Sequence, residues 1–175
     1  MRRFLSFIAA PCLLVLVSLL SVDAWADYAV SPPVRTADKI LVVKSERKLY
    51  LFRGSEVLRS YRVSLGLNPV GRKQRAGDYR TPEGLYQLTR RNSRSAYFLS
   101  IQISYPAQSD MAQARMNGWD AGGQIMIHGL PNNPSHSDQY YVAADWTNGC
   151  IALANADMLE LWTLVDRRAI IEIKP

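Results

Sequence analysis

DWTNGCIAL, residues 145–153, is the stretch around which the rest of the chain is organised. It contains Cys150, one of two cysteines, and the other, Cys12, lies in an N-terminal segment that is typical of a removed export signal. Without that segment, an exported chain has a single thiol and no intramolecular partner for it. Gly149 precedes the cysteine and lets a substrate approach the backbone closely. A nucleophilic thiol and a small, buried, inert cysteine are both open interpretations from these residues alone.

The candidate partner for the thiol is His128, which ends the apolar run QIMIH at residues 124–128. A cysteine with a distant histidine is the arrangement that thiol acyl transfer uses. An unperturbed thiol with a pKa of about 8.5 is only a few per cent thiolate at neutral pH, so a neighbouring imidazolium would activate it. The other histidine, His136, lies in a polar loop, and we interpret it as an exposed residue without a catalytic role.

Composition fits one globular domain, because 48% of the residues are hydrophobic and 21% are charged. A net charge of +6 favours anionic partners such as nucleic acid, an anionic membrane face or an acidic wall polymer. No RNA-binding aromatic motif, zinc-ligand spacing or long basic run accompanies the charge, so we expect no nucleic-acid partner, no metal and no cofactor. A soluble basic surface remains the plainer interpretation of the charge.

The first 26 residues are typical of a secretory signal peptide, with two early arginines, an apolar run and AWA at residues 24–26. Retention of the apolar run as a membrane anchor is the alternative, and it is the only membrane contact that we expect. We therefore predict an exported, periplasmic protein that begins at Asp27. Residues 27–38 lack periodicity and predict an extended lead-in.

Short β-rich runs dominate the remainder of the chain and predict one mostly β (α+β) domain. The first three runs are separated by tight turns, which predicts an antiparallel meander. The long basic segment 66–84 is rich in turn residues and is either a functional loop or a solvated, mobile one. We predict strands at 39–44, 49–52, 57–65, 85–89, 97–105, 124–128 and 169–173, and helices at 109–116 and 155–168.

IMIHG at residues 125–129, followed by TNGCI at 147–151, resembles the catalytic signature of the L,D-transpeptidase (YkuD-like) family. TPEGLY at residues 81–86 is similar to that family's Thr-Pro-x-Gly strand entry. The resemblance extends over most of residues 39–175, which it implies to be the catalytic domain. It implies a YkuD-like β-sandwich or barrel with a few short helices. GD, ISYP, HGLPN and DWT, at residues 77–78, 103–106, 128–132 and 145–147, are similar to one Gram-negative branch of the family.

The resemblance implies a role in cell wall biogenesis and cell shape. Family members attack the bond between diaminopimelate and D-alanine in peptidoglycan stem peptides and pass the acyl group to an amine. Some attach an outer-membrane lipoprotein to peptidoglycan, and a member of this branch type is instead linked to cutting that bond. Three functions are therefore open: an L,D-transpeptidase, a cysteine amidase or hydrolase, and a non-catalytic wall-binding module.

The resemblance also implies residue roles. Cys150 is the nucleophile and His128 the base, with Thr147 and Gly129 orienting the pair. Backbone N–H groups at Gly149 and Cys150, together with Asn148, are the expected oxyanion donors. Candidate substrate-binding residues are Arg80, in the basic loop, Tyr105 and Trp146.

Three features depart from the usual family pattern. Asn148 stands where a second histidine is usual, and an amide can donate a hydrogen bond but cannot carry a proton. Ala152 stands where many members have an arginine, which removes a contact to a substrate carboxylate. The spacer between His128 and Cys150 is longer than usual, and the extra residues are expected to enlarge the loop at 130–144 over the site.

Overall fold

The computed structural model describes residues 36–175 of the chain. The strands are β1 Ala37–Val43, β2 Lys48–Arg53, β3 Glu56–Arg62, β4 Gly84–Ser95, β5 Phe98–Ile103, β6 Met126–His128, β7 Ile151–Ala152 and β8 Val165–Lys174. The helices are α1 Gln108–Met116, α2 Asp138–Ala143 and α3 Asn155–Leu164. The expected signal peptide lies outside the described residues. Of the expected lead-in at 27–38, only residues 36–38 are described, and residues 37 and 38 belong to β1.

The core forms where apolar side chains alternate along the strands. Ile40 and Val42 on β1 and Leu49 and Leu51 on β2 are fully buried, while their neighbours in sequence are more exposed. Side chains alternate between the faces of a strand, so one apolar face covers the core. The antiparallel β1–β2 and β2–β3 pairs confirm the predicted meander.

All eight strands belong to one sheet with the order β3-β2-β1-β8-β4-β5-β6-β7. The β1–β8 and β6–β7 pairs are parallel and the others are antiparallel. Ser64, just after β3, exchanges two backbone hydrogen bonds of 2.9 Å with Ala152 of β7. The sheet therefore curls until the chain leaving one edge strand meets the other edge strand. Mostly β architecture with few short helices is confirmed.

Several predicted boundaries are wrong. α3 ends at Leu164 instead of continuing to residue 168, because Val165 is already part of β8 and pairs with Ala37. β4 extends to Ser95 instead of ending at residue 89, and β6 begins only at Met126.

The sequence pattern does not predict α2 or the two-residue strand β7. Both are shorter than the windows over which periodicity can be recognised. No helix within residues 36–175 is long and apolar enough to cross a membrane.

Candidate active site

A cavity of about 340 Å³ is lined by both Cys150 and His128. Tyr97 and Trp146 form part of its wall. Gln124 lies next to the thiol, with the Cys150 Sγ 3.7 Å from the Gln124 carbonyl oxygen. The cavity therefore contains the two groups that the sequence analysis selected as nucleophile and base.

Strand pairing explains why these distant residues meet. In the parallel β6–β7 pair, Ile127 lies beside Ile151 and His128 lies beside Ala152. Cys150 directly precedes β7, and His128 is the last residue of β6. A two-residue strand is thus sufficient to bring the thiol and the imidazole to one cavity.

Thr147 holds the backbone of the cysteine loop in place. Its buried hydroxyl donates to the Cys150 carbonyl oxygen at 2.8 Å and accepts from the Gly149 N–H at 3.1 Å. Its own backbone N–H donates to the Leu65 carbonyl oxygen, and its carbonyl accepts from the Leu67 N–H. The loop is therefore tied to the chain that follows β3.

Gly149 fits a position where no other residue can be accommodated without strain. Its φ of +124° is rarely adopted by residues with a side chain, and an added Cβ would lie 2.6 Å from the Arg80 carbonyl oxygen. The backbone at Arg80 therefore packs directly against the cysteine loop. Arg80 therefore lies next to the site through its main chain.

The buried ring of His128 has its tautomer fixed by Gly129. The His128 Nδ1 lies 2.7 Å from the Gly129 carbonyl oxygen, which can only accept, so Nδ1 carries the proton and Nε2 the free lone pair. The ring centroid is 4.7 Å from that of Tyr97 and 5.6 Å from that of Trp146. Gly129 itself has no room for a side chain, because an added Cβ would lie 2.6 Å from the Asn155 Oδ1.

The resting pair is uncharged. Burial lowers the pKa of His128 from 6.5 to about 4, against the opposing effect of the Gly129 carbonyl. Burial also raises the pKa of the Cys150 thiol, although the Met126 N–H and the positive charge of Lys73 act in the opposite direction. At neutral pH the site therefore contains a thiol and a neutral imidazole, the form of His128 that can take the thiol proton.

The expected oxyanion donors do not all stand free. The Gly149 N–H is engaged by the Thr147 hydroxyl, and the Asn148 residue is exposed at the cavity wall. The Cys150 N–H has no hydrogen-bond partner among residues 36–175. The Cys150 N–H and the Asn148 amide are thus the candidates that remain from the expected set.

The three candidate substrate-binding residues lie in different places. Trp146 lines the cavity. Tyr105 is buried away from the cavity lining, and its hydroxyl donates to the Ala121 carbonyl oxygen. The Arg80 guanidinium donates to the Arg72 carbonyl oxygen and is also absent from the cavity lining. Of the three, only Trp146 has a side chain placed to contact a substrate in this cavity.

The basic loop is organised around Asp78. The Asp78 carboxylate accepts from the backbone N–H groups of Gln74, Arg75 and Arg80 and pairs with Lys73 at 2.7 Å. Burial raises the pKa of Asp78, but these hydrogen bonds outweigh it and leave the pKa lowered. The loop is therefore held by these contacts, and the buried charge of Lys73 is paired with Asp78.

The departures from the family pattern also have structural positions. Ala152 is buried in β7 and does not line the cavity. The expected loop at 130–144 contains α2, and Tyr141 of this helix packs its ring 4.9 Å from that of Trp146. His136 is exposed, as interpreted from the sequence, with its ring 4.2 Å from that of Tyr140.

Sequence reasoning missed several residues of the cavity. Ser95 ends β4, Tyr97 lies in the turn that follows, and Ser100 belongs to β5. Gln124 precedes β6. Nothing in their local sequence distinguishes them, since their place in the wall depends on strand pairing. Within the described residues, no group of three or more His, Cys, Asp or Glu side chains is placed to hold a metal ion.

Residues 37–173 match the YkuD family, which is described as the L,D-transpeptidase catalytic domain. Over 96 residues the chain is 34% identical to the Escherichia coli (strain K12) protein named "Putative L,D-transpeptidase YafK". This alignment covers 51% of the chain and 37% of the relative, so the chain spans little more than a third of that protein's length.

Solved structures give the same picture of the fold. The helical cell shape determining protein Pgp2 from Campylobacter jejuni has a TM-score of 0.59 and 25% identity, with coverage of 81% of this chain and 49% of that one. Bd1075 from Bdellovibrio bacteriovorus has a TM-score of 0.54 and 25% identity, with coverage of 80% and 51%. The chain therefore corresponds to about half of each of these longer proteins.

Proposed function

The chain belongs to the L,D-transpeptidase catalytic domain family, and on that premise we propose that it is a periplasmic cysteine acyl-transfer enzyme acting on peptidoglycan stem peptides. The observation that carries the proposal is the shared cavity of Cys150 and His128, with the imidazole tautomer fixed by Gly129. A thiol and a histidine lone pair in one cavity are the groups that acyl transfer needs.

Acylation starts from the uncharged pair. The His128 Nε2 takes the thiol proton as the Cys150 Sγ attacks the carbonyl carbon of a stem-peptide amide. The tetrahedral intermediate then collapses, its C–N bond breaks, and the imidazolium gives its proton to the leaving amine. The product is a thioester on Cys150 and a released amine, with His128 neutral again.

Release reverses these roles. An incoming amine attacks the thioester and gives its proton to the His128 Nε2, and the departing Cys150 sulfur recovers that proton. The Cys150 N–H and the Asn148 amide are the proposed donors to the oxyanion in both steps, and removal of one such donor typically costs about 10²–10³ in rate. Thr147 holds the backbone that carries them.

Hydrolysis is the second candidate, and the cavity lining favours it in one respect. None of the ten lining residues has a carboxylate that could hold the ammonium group of an amine acceptor. Water as acceptor would make the protein a cysteine amidase that cuts a diaminopimelate linkage or a peptidoglycan–lipoprotein linkage. An outer-membrane lipoprotein is accordingly a proposed partner, attached to peptidoglycan by transfer or released from it by hydrolysis.

Purified sacculi incubated with the wild type and with Cys150→Ala separate the candidates, with muropeptides identified by mass. New cross-links that require an added amine indicate transfer, and release of the same linkage into water indicates hydrolysis. Gln113→Ala is the control, because this exposed side chain on α1 lines neither the cavity of Cys150 and His128 nor its neighbour. Sacculus binding without any Cys150-dependent product, by protein of native circular dichroism, would leave only a wall-binding module.

A further inference from the structure

A second groove, of about 480 Å³, lies beside the catalytic cavity. We call it the aromatic groove, and its aromatic residues are Tyr97, His136, Tyr140, Tyr141 and Trp146. Tyr97 and Trp146 also line the catalytic cavity, so the two spaces share these side chains as a common wall. A ligand bound at the thiol therefore lies next to the groove.

The far wall of the groove is built before any ligand arrives. Tyr141 is buried, and its hydroxyl accepts from the Ser135 N–H at 3.0 Å. The Trp146 Nε1 donates to the Tyr141 carbonyl oxygen at 2.9 Å. The Arg62 guanidinium donates to the carbonyl oxygens of residues 142 and 143 at the end of α2. These contacts fix the segment that the longer His–Cys spacer supplies.

Two aromatic side chains of this wall remain available for contact. Tyr97 is 41% exposed and Tyr140 is 43% exposed. The ring of His136 lies 4.2 Å from that of Tyr140, tilted by 38°, so the two rings pack against each other. Pre-positioned aromatic rings provide large contact area at low cost in conformational entropy.

The lining of the groove has no Asp, Glu, Lys or Arg side chain. Besides the His136 imidazole, its polar groups are amides and hydroxyls, among them those of Asn133 and Ser135. Such a lining gives no ionic partner to an ammonium group. It suits a ligand with apolar faces and hydroxyl or amide edges, since pockets combine apolar walls with a few orienting polar groups.

We propose that the aromatic groove binds a neutral N-acetylated sugar of the glycan chain while the attached stem peptide lies at Cys150. Sugar rings present C–H faces to aromatic rings and hydroxyl and acetamido groups to amides and hydroxyls. The proposal rests on the peptidoglycan substrate proposed above, and it makes Tyr140 a determinant of substrate choice that takes no part in bond cleavage.

The binding test uses the tetramer of N-acetylglucosamine as probe and calorimetry on Cys150→Ala protein. Binding should weaken about tenfold in Cys150→Ala/Tyr140→Ala and remain within about twofold in Cys150→Ala/Tyr140→Phe, which keeps the ring. No binding of the tetramer overturns the proposal, and so does equal binding by all three proteins. Binding of the lysine analogue Nα-acetyl-lysine amide in place of the tetramer would assign the groove to an ammonium group instead.

The kinetic test compares a disaccharide–tetrapeptide with the same tetrapeptide lacking sugar. In Tyr140→Ala, kcat/KM should fall about tenfold for the first substrate and change less than about twofold for the second. An equal fall for both substrates contradicts the proposal. Inactivity of the wild type on every substrate would contradict the proposed acyl transfer, whereas the binding test would still decide the sugar site.

Discussion

Replacement of His128 by asparagine should remove much of the acid sensitivity of the fold. In the folded protein burial lowers the pKa of His128 from 6.5 to about 4. Between these values the unfolded chain takes up a proton and the folded chain does not, so the free energy of unfolding falls as the pH falls. Above the upper value both states are neutral, and below the lower value both are charged, so the effect is confined to this window.

This pKa shift corresponds to about 3 kcal/mol of unfolding free energy. The wild type should lose this amount between pH 6.5 and pH 4, and the variant should not. Asparagine has no titrating group, and its amide can still donate towards the Gly129 carbonyl oxygen. Any uniform loss of stability in the variant cancels, because the quantity compared is the change with pH. Titrating carboxylates elsewhere are common to both proteins and also cancel.

The assay is urea denaturation followed by circular dichroism at half-unit steps from pH 4 to pH 8. His136→Asn is the matched control, since it removes the other histidine of the chain and keeps His128, so it should retain the loss of stability between pH 6.5 and pH 4. Parallel curves for the wild type and His128→Asn would refute the reasoning. They would mean that the ring is hydrated or carries a compensating charge.

Three further results are expected. The pH profile of kcat/KM should fall on its acid side with a midpoint nearer pH 4 than pH 6.5, because the pKa of His128 is lowered in the free protein. A midpoint at pH 6.5 would contradict the neutral resting pair. Thr147→Val should lower kcat about tenfold to hundredfold, because the cysteine loop loses both hydrogen bonds of the Thr147 hydroxyl, and Thr147→Ser should restore most of the activity. Gly149→Ala should lower the free energy of unfolding in urea by about 2 kcal/mol or more. Gly77 has a φ of +73°, and an added Cβ there would meet no atom within 4 Å, so Gly77→Ala should cost only about 1 kcal/mol. Equal losses would contradict the packing of Gly149 against Arg80.

The sequence was sufficient for the elements whose patterns are local. The β1–β3 meander follows from alternating apolar residues and tight turns, and the Gly-Cys context marked Cys150. The boundary of α3 could not be predicted, because Val165 continues the helical spacing and yet belongs to β8. That outcome is decided by pairing with Ala37, a residue far away in the chain.

The charge state of the candidate site depended on contacts that local sequence does not specify. Burial of His128 beside Tyr97 and Trp146 favours the neutral ring, and this burial depends on side chains from distant segments. The aromatic groove was equally hidden. Its residues come from the turn after β4 and from the segment around α2, and only the curled sheet brings them together.

The central claim is that Cys150 becomes acylated by a peptidoglycan stem peptide. Intact-protein mass spectrometry after brief exposure to a soluble disaccharide–tetrapeptide measures this directly. We expect an adduct of the mass of the acyl fragment on wild-type protein, mapped to Cys150 and removed by an added amine or by water. No adduct at any time point, or an adduct of the same yield on Cys150→Ala, would contradict the account.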